Sequence, residues 1–320
     1  MKAYPVKLIP TYAERPWGGK LLKERLGKEI PNRKIGESWE ISSHPHGLSR
    51  IANGPLAGKT IPELLSRYGA KFIGPKLSGK YGNTFPLLTK FIDVNSLASV
   101  QVHPDDIQAD ELENQQFGKA EVWFILALEK TAEIYIGFRR NAGKKEFLNA
   151  LANGTVKELL NRVNVKPGDC IYVPPGTVHA CGNGVFMLEI QQSSDLTYRV
   201  YDWDRTDAEG RKRELHMDKA LKVINFNAQP EIFRANDKIN NLSQILTSPY
   251  FDIYQVSVKN EFSLPVKKTC IAGTLLEGIC DLISGNGVLH LVQGDSFLIP
   301  ADAESEFISD KCKMIFTILR

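Results

Sequence analysis

The chain reads as a mainly β protein, an antiparallel barrel or jelly roll with a small helical portion. Short apolar runs recur along all 320 residues, Gly- and Pro-containing turns separate them, and long helical stretches are few.

Residues 1–60 carry the turn signals Pro16-Trp17-Gly18-Gly19, Asn53-Gly54-Pro55 and Ala57-Gly58 between short strands. Trp39, Ile41 and Ser43 alternate with Ser38, Glu40 and Ser42, the period of a strand with one buried face. Helical spacing follows from Thr60 to Tyr68, with Thr60 placed as N-cap and Glu63 three residues on, the spacing of a capping box. The stretch from Phe85 to Val102 predicts two strands or one bent strand, and the acidic residues 105–117 a surface helix or loop. EVWFILAL and AEIYIGF predict a hairpin turning at 129–132, and Lys144 to Leu160 a further helix. Strands resume with DCIYVPPG and VFMLEIQQ, a helix is expected near 216–224, and short strands fill the chain from Phe251 to its end.

Two distant segments match each other: Val165 to His179 and Leu291 to Ser305. Gly168-Asp169 aligns with Gly294-Asp295 and Pro174 with Pro300, with an apolar run between them in each copy. The physical sense is a tight turn, a buried strand, and a second turn that redirects the chain. The first copy ends on His179 and the second on Ser305, which offers no nitrogen ligand. We therefore expect two barrels: a metal-binding one with peripheral helices over residues 1–230, and a degenerate, metal-free one over 231–320.

Composition narrows the function classes. The 40 basic and 37 acidic residues are interspersed and leave a net charge of +3, so no basic stripe points to a nucleic-acid partner. The opening MKAYPVKLIPTYAERPWGG lacks a signal-peptide core, and no apolar run approaches the roughly 18 residues a membrane span needs. Cys170, Cys181, Cys270, Cys280 and Cys312 are odd in number, scattered and without a CxxC pair. That argues against a disulfide framework or a cysteine zinc site, and for reduced thiols in a cytoplasmic protein.

Chemistry concentrates in the histidines: His44, His46, His103, His179, His216 and His290. No HExxH motif is present, so any metal ligands must converge from separate strands. Gln101 and His103 share a strand face in SVQVHPDD before Pro104 turns the chain away. Glu121 opens the next apolar strand, where a buried carboxylate needs a compensating cation. His179 closes the turn PPGTVH. Two imidazoles and a carboxylate suit a divalent ion, zinc first, with manganese or iron behind it. His44-Pro45-His46 reads as a turn carrying two exposed histidines, and His216 and His290 as surface or packing residues.

These residues stand in longer phrases. They include Glu14-Arg15-Pro16-Trp17-Gly18-Gly19, Gly36-Glu37-Ser38-Trp39-Glu40-Ile41-Ser42 with His44-Pro45, and Pro86-Leu87-Leu88-Thr89-Lys90. Further on come Leu97-Ala98-Ser99-Val100-Gln101-Val102-His103-Pro104-Asp105, Lys119-Ala120-Glu121, Pro174-Pro175-Gly176-Thr177-Val178-His179-Ala180 and Tyr198-Arg199-Val200-Tyr201-Asp202. In these phrases the chain resembles the type I phosphomannose isomerases of the short bacterial kind, a family of the cupin superfamily. The resemblance spreads over residues 4–205 and is weak in the C-terminal third.

The resemblance implies two cupin barrels, the second without its metal, and one zinc ion per chain on His103, Glu121, His179 and, ranked below them, Gln101. It implies catalytic roles for Arg199 and Lys119, and a substrate pocket lined by Trp17, Lys90, Ser99 and Glu189. Lys119-Ala120-Glu121 departs from the family's Lys-Pro-Glu but keeps the ligand. The implied reaction interconverts mannose 6-phosphate and fructose 6-phosphate through an enediol, in a monomer or homodimer with a sugar phosphate as its small-molecule partner. The general base stays open among Lys119, Glu189 and His44. A redox cupin or epimerase using the same metal set, and a non-catalytic sugar-phosphate sensor, are the competing readings.

Overall fold

The computed structural model describes residues 3–31, 33–139, 142–206, 209–265, 267–285 and 287–320. Its described strands form three sheets. One has seven strands in the order Glu231–Arg234, Asp169–Val173, Glu121–Leu128, Val185–Gln192, Leu87–Val94, Ile35–Ile41 and Thr11–Glu14. A second has five: Tyr198–Tyr201, Val100–Val102, His179–Gly182, Glu133–Phe138 and Leu160–Arg162. The third runs Ser243–Thr247, Phe251–Leu264, Ser305–Leu319, Ile271–Ser284, Ser296–Ile299, Val6–Ile9 and Arg50–Ile51, with Gly287–Val292 also paired to Ile271–Ser284. The fold is mainly β, as the sequence predicts.

The seven- and five-stranded sheets face each other across a core that includes Ile92, Trp123, Ile125 and Met187 from one and Ile134, Ile136 and Cys181 from the other. The opposite face of the seven-stranded sheet, with Phe91, Phe124 and Phe186, packs against Leu64, Leu65 and Phe72 of short helices and Ile253, Ile315 and Leu319 of the eight-stranded sheet. Being covered on both sides, Ile35–Ile41 is buried at every position and is not the half-buried strand its alternation predicts.

The capping box at Thr60 is present: Glu63 Oε2 accepts from the Thr60 amide at 2.8 Å, and Thr60 heads the helix Ile61–Tyr68. The stretch from Phe85 to Val102 forms two strands, Leu87–Val94 and Val100–Val102, in different sheets. Residues 105–117 contain the helix Asp106–Glu113, and the later helix is Met217–Val223. The stretch from Lys144 is two helices, Lys144–Ala152 and Val156–Leu159, separated at Asn153-Gly154, where Gly154 takes φ 70°.

Two further expectations fail. Glu121–Leu128 and Glu133–Phe138 make no hairpin; the turn between them carries the chain from the seven-stranded to the five-stranded sheet. The C-terminal strands are not all short: Phe251–Leu264, Ile271–Ser284 and Ser305–Leu319 run for 14, 14 and 15 residues. Register shifts within their pairings, between Val258 and Asn260 and between Leu275 and Glu277, break the alternation that would mark a long strand.

The internal match is a repeated piece of backbone. Gly168 and Gly294 take φ 91° and 89°, a region that penalises any Cβ. Asp169 Oδ2 accepts from the Lys166 amide at 3.0 Å, and Asp295 Oδ2 from the Val292 amide at 2.7 Å. Carbonyls of Pro174 and Pro300 accept from Thr177 and Ala303 at 3.2 and 3.3 Å. The next strand then starts on His179 in one copy and Ser305 in the other.

Candidate active site

Residues directly opposite on neighbouring strands point to the same face, so register assembles the site in rows. On the seven-stranded sheet one row is Trp123, Glu189, Lys90 and Trp39. On the five-stranded sheet another is His179, Gln101 and Arg199. Glu121 lies two residues before Trp123 and therefore on the same face. His103 follows the strand Val100–Val102 and is held there by the Gly176 amide, which donates to its carbonyl at 2.8 Å.

Three of the predicted ligands meet in the interior. His103 Nε2 lies 3.3 Å from Glu121 Oε1, and His179 Nε2 lies 3.5 Å from Glu121 Oε2, all three side chains being about 1% exposed or less. His103 Nδ1 donates to the Leu196 carbonyl at 2.7 Å and His179 Nδ1 to the Thr177 carbonyl at 2.9 Å. Each ring thereby presents its Nε2 lone pair toward the carboxylate, the support that metal-binding histidines require.

Lys119 Nζ sits 2.7 Å from Glu121 Oε1 and 3.3 Å from His103 Nε2. Glu121 Oε2 and His179 Nε2 remain buried without a hydrogen-bond partner. An orphaned carboxylate oxygen facing an orphaned imidazole nitrogen is unfavourable in a dry interior and is what a divalent cation satisfies. The residues fit such an ion.

The electrostatics agree with that donor set. Burial, reinforced by the Lys119 charge, pushes His103 down to about 3, so the imidazole is neutral at physiological pH. Burial likewise lowers His179 against the pull of Glu121. Burial alone would raise Glu121, but Lys119 and His103 hold it well below the usual carboxylate range. Lys119 is raised despite the penalty of burial, because Glu121 and Glu189 face it.

The cluster adjoins a cavity of about 370 Å³ whose wall includes Trp17, Lys90, Ser99, Gln101, Lys119, Glu189 and Arg199. All seven of the remaining predicted site residues thus converge there. Lys90 Nζ donates to Gln191 Oε1 at 2.8 Å and lies 3.2 Å from Glu189 Oε1, without hydrogen-bond geometry to that oxygen. The other Glu189 oxygen accepts from Trp123 Nε1 at 3.0 Å. Burial and the Glu121 charge raise the Glu189 carboxyl. Arg199 Nε donates to Ser99 Oγ at 3.3 Å and its Nη1 to the Glu214 carbonyl at 2.8 Å.

The family model for the catalytic domain of phosphomannose isomerase type I matches residues 6–122. Mannose-6-phosphate isomerase ManA of Bacillus subtilis (strain 168) is 39% identical over 303 residues, 94% of each chain. The chain belongs to the type I mannose-6-phosphate isomerase family. The mannose-6-phosphate isomerase of Streptococcus mutans is 36% identical over 95% of this chain and 94% of its own. The crystal structure of mannose 6-phosphate isomerase from Bacillus subtilis superposes with a TM-score of 0.89 at 36% identity, covering 98% of this chain and 99% of that one. The chain is therefore an enzyme of this family with its cupin fold.

The wall residues that carried no role in the sequence reading include Arg15, Glu37, Asp195 and Arg213. Glu37 had a signal, since it stands inside Gly36-Glu37-Ser38-Trp39. Arg15 grips both of its oxygens, at 2.8 and 3.0 Å, and Trp39 Nε1 donates to it at 2.7 Å. Burial would raise Glu37, but Lys90 and Arg15 bring it down to about 2.

His44 and His46 are more than an exposed turn, because Asp195 from a distant loop faces both, at 3.5 and 2.5 Å. His216 is a packing residue: its Nδ1 accepts from the Arg199 amide at 3.0 Å. His290 is exposed and pairs with Asp281. No described helix is long and apolar enough to cross a membrane.

Proposed function

We propose that the enzyme interconverts mannose 6-phosphate and fructose 6-phosphate through an enediol, with one zinc ion per chain on His103, Glu121, His179 and Gln101. The observation that carries this reading is the buried His103–Glu121–His179 cluster with its two orphaned atoms, joined through Lys119 to a cavity walled by lysine, arginine and a second carboxylate. The relatives named above bear the same activity in their names.

Bound zinc supplies Lewis acidity toward substrate oxygens and toward the negative charge that develops on them. The chain's own residues do the rest. Glu189 has a raised carboxyl and an oxygen free of hydrogen bonds, which suits it to move a proton between C1 and C2. Lys119, held charged by Glu121 and Glu189, and Lys90 supply donors toward the developing oxyanion. Arg199 stands in the same row as His179, two strands away and hence about 10 Å distant along the sheet, where the far end of an extended sugar phosphate would lie.

In this reading residues 1–230 carry the chemistry and 231–320 form a metal-free structural half. Val6–Ile9 and Arg50–Ile51 nevertheless complete the eight-stranded sheet, and Glu231–Arg234 edges the seven-stranded one. We place the enzyme in the cytoplasm, as a monomer or homodimer, in keeping with its five free, buried thiols.

A coupled assay of mannose 6-phosphate conversion on purified, zinc-loaded protein tests the reading. Glu189→Gln should lower kcat by about 10²–10⁴-fold, and Arg199→Ala should cut turnover strongly, both with zinc content unchanged. A folded, zinc-loaded wild type that converts no mannose 6-phosphate would contradict it.

A further inference from the structure

We propose that Arg213 joins Arg199 and Ser99 as the dianion end of the cavity and binds the phosphate group of the substrate. This rests on the sugar-phosphate reading above and adds to it a residue whose neighbourhood in sequence shows no motif.

The charge balance of the cavity locates that end. Arg15 is bound to Glu37 through two nitrogens. Lys90 faces Glu189, and Lys119 pairs with Glu121. These three cations are each matched by a buried carboxylate.

Toward the opposite end three guanidinium groups, Arg199, Arg205 and Arg213, gather around a single buried carboxylate, Asp202. Arg205 is consumed by structure. Its Nη2 meets Asp202 Oδ1 at 2.5 Å, its Nε the Asp202 carbonyl at 3.1 Å, and its Nη1 the Leu97 carbonyl at 2.5 Å, and it is absent from the cavity wall.

Arg213 differs from Arg205 on each count. It reaches the same carboxylate oxygen only at 3.4 Å, its side chain is 42% exposed, and it lines the cavity together with Arg199. Arg199 forms no ion pair among the described residues, and its Nε is bonded to Ser99 Oγ at 3.3 Å. Two guanidinium groups close enough to repel, beside one hydroxyl, make a surplus of positive charge at one end of a cavity that is balanced elsewhere. Burial lowers the Arg199 pKa first and the Arg213 charge adds to it, which is the mark of that proximity.

A phosphate monoester dianion removes the repulsion and can take forked donors from both arginines. Arg199 stands two strands from His179, so a ligand that reaches both reacts at one end and carries its charge at the other. A hexose phosphorylated at C6 and reacting at C1 and C2 has that form.

The test compares wild type, Arg213→Gln, Arg213→Lys and Lys212→Gln. Lys212 is the neighbouring cation, exposed and paired with Asp204, and serves as a control for the general field. Inorganic phosphate is titrated into each zinc-loaded protein by calorimetry, and steady-state kinetics are run in parallel. Arg213→Gln should weaken phosphate binding about 10- to 100-fold, the range expected for losing a charge-assisted contact. Its KM for mannose 6-phosphate should rise by a similar factor, with the loss falling on KM rather than kcat and with zinc content unchanged.

Arg213→Lys should recover part of the loss, and Lys212→Gln should stay within about twofold of wild type. The proposal is overturned if Arg213→Gln binds phosphate like wild type, or if Lys212→Gln weakens binding as much. Arg213-dependent phosphate binding in a protein that converts no mannose 6-phosphate would sink the isomerase reading and leave this anion site standing.

Discussion

The unit that ends at His179 and the unit that ends at Ser305 are built on the same backbone and enclose opposite interiors. Both have a Gly-Asp turn with the aspartate bound back to an amide, a buried strand, and a proline turn. Beside Ser305, Phe297, Phe307 and Phe316 pack ring against ring with centroids 5.5 to 6.2 Å apart. Beside His179 lie His103, Glu121, Lys119, Glu189 and Lys90, all buried. The aromatic interior is stabilised by apolar burial and leaves Ser305 Oγ unpartnered at its edge, whereas the polar one sets desolvation against ion pairing and leaves Glu121 Oε2, His179 Nε2 and Glu189 Oε1 without hydrogen bonds. The turn–strand–turn unit thus specifies where a side chain points, and the identity of that side chain decides whether the region stabilises or reacts.

Exchanging the residues that distinguish the copies should break the comparison most sharply at the metal. His179→Ser installs the second copy's residue in the first, and we expect zinc content to fall well below one per chain and turnover to drop at least 10³-fold. Metal analysis beside the coupled assay checks this.

The aromatic side should respond in stability. Phe316→Ala empties a fully buried position against two aromatic neighbours and should cost about 3–5 kcal/mol in urea denaturation. Zinc content of the folded fraction should be unchanged.

Acid should separate the two interiors next. Glu37 has a folded pKa of about 2 against an ordinary 4.5, so its contribution is complete above pH 4.5 and is lost as pH falls toward 2. The shift corresponds to roughly 3 kcal/mol. Stability measured from pH 5 to 2.5 should decline with this component, and Glu37→Gln should flatten that limb while lowering stability at pH 7.

The smallest effect is expected from the reverse exchange. Ser305→His adds one imidazole away from the metal-competent groups found among the described residues, so metal content should stay at one per chain. Overpacking a buried site should cost about 1–3 kcal/mol.

The site was legible in the sequence where its chemistry follows local spacing. Gln101 and His103 share a strand face, Glu121 opens an apolar run, and His179 ends a proline-glycine turn. Arg213 and Asp195 were not, because each lies in a polar stretch that reads as surface and reaches the cavity only through loop geometry. The false hairpin after Leu128 has a similar cause. Two adjacent strands separated by a short turn look alike whether they pair or pass into opposite sheets, and the choice depends on partners far along the chain. Alternation around Trp39 correctly marked a strand but said nothing about the second layer that buries its other face.

The most direct test of the account is to follow bound zinc and mannose 6-phosphate conversion in the same samples, through chelation and return of the metal. Activity should fall with zinc, vanish in the metal-free protein, and return in proportion to zinc up to one ion per chain. Full turnover in a metal-free protein would contradict the central claim, that the His103–Glu121–His179 cluster holds the ion on which catalysis depends.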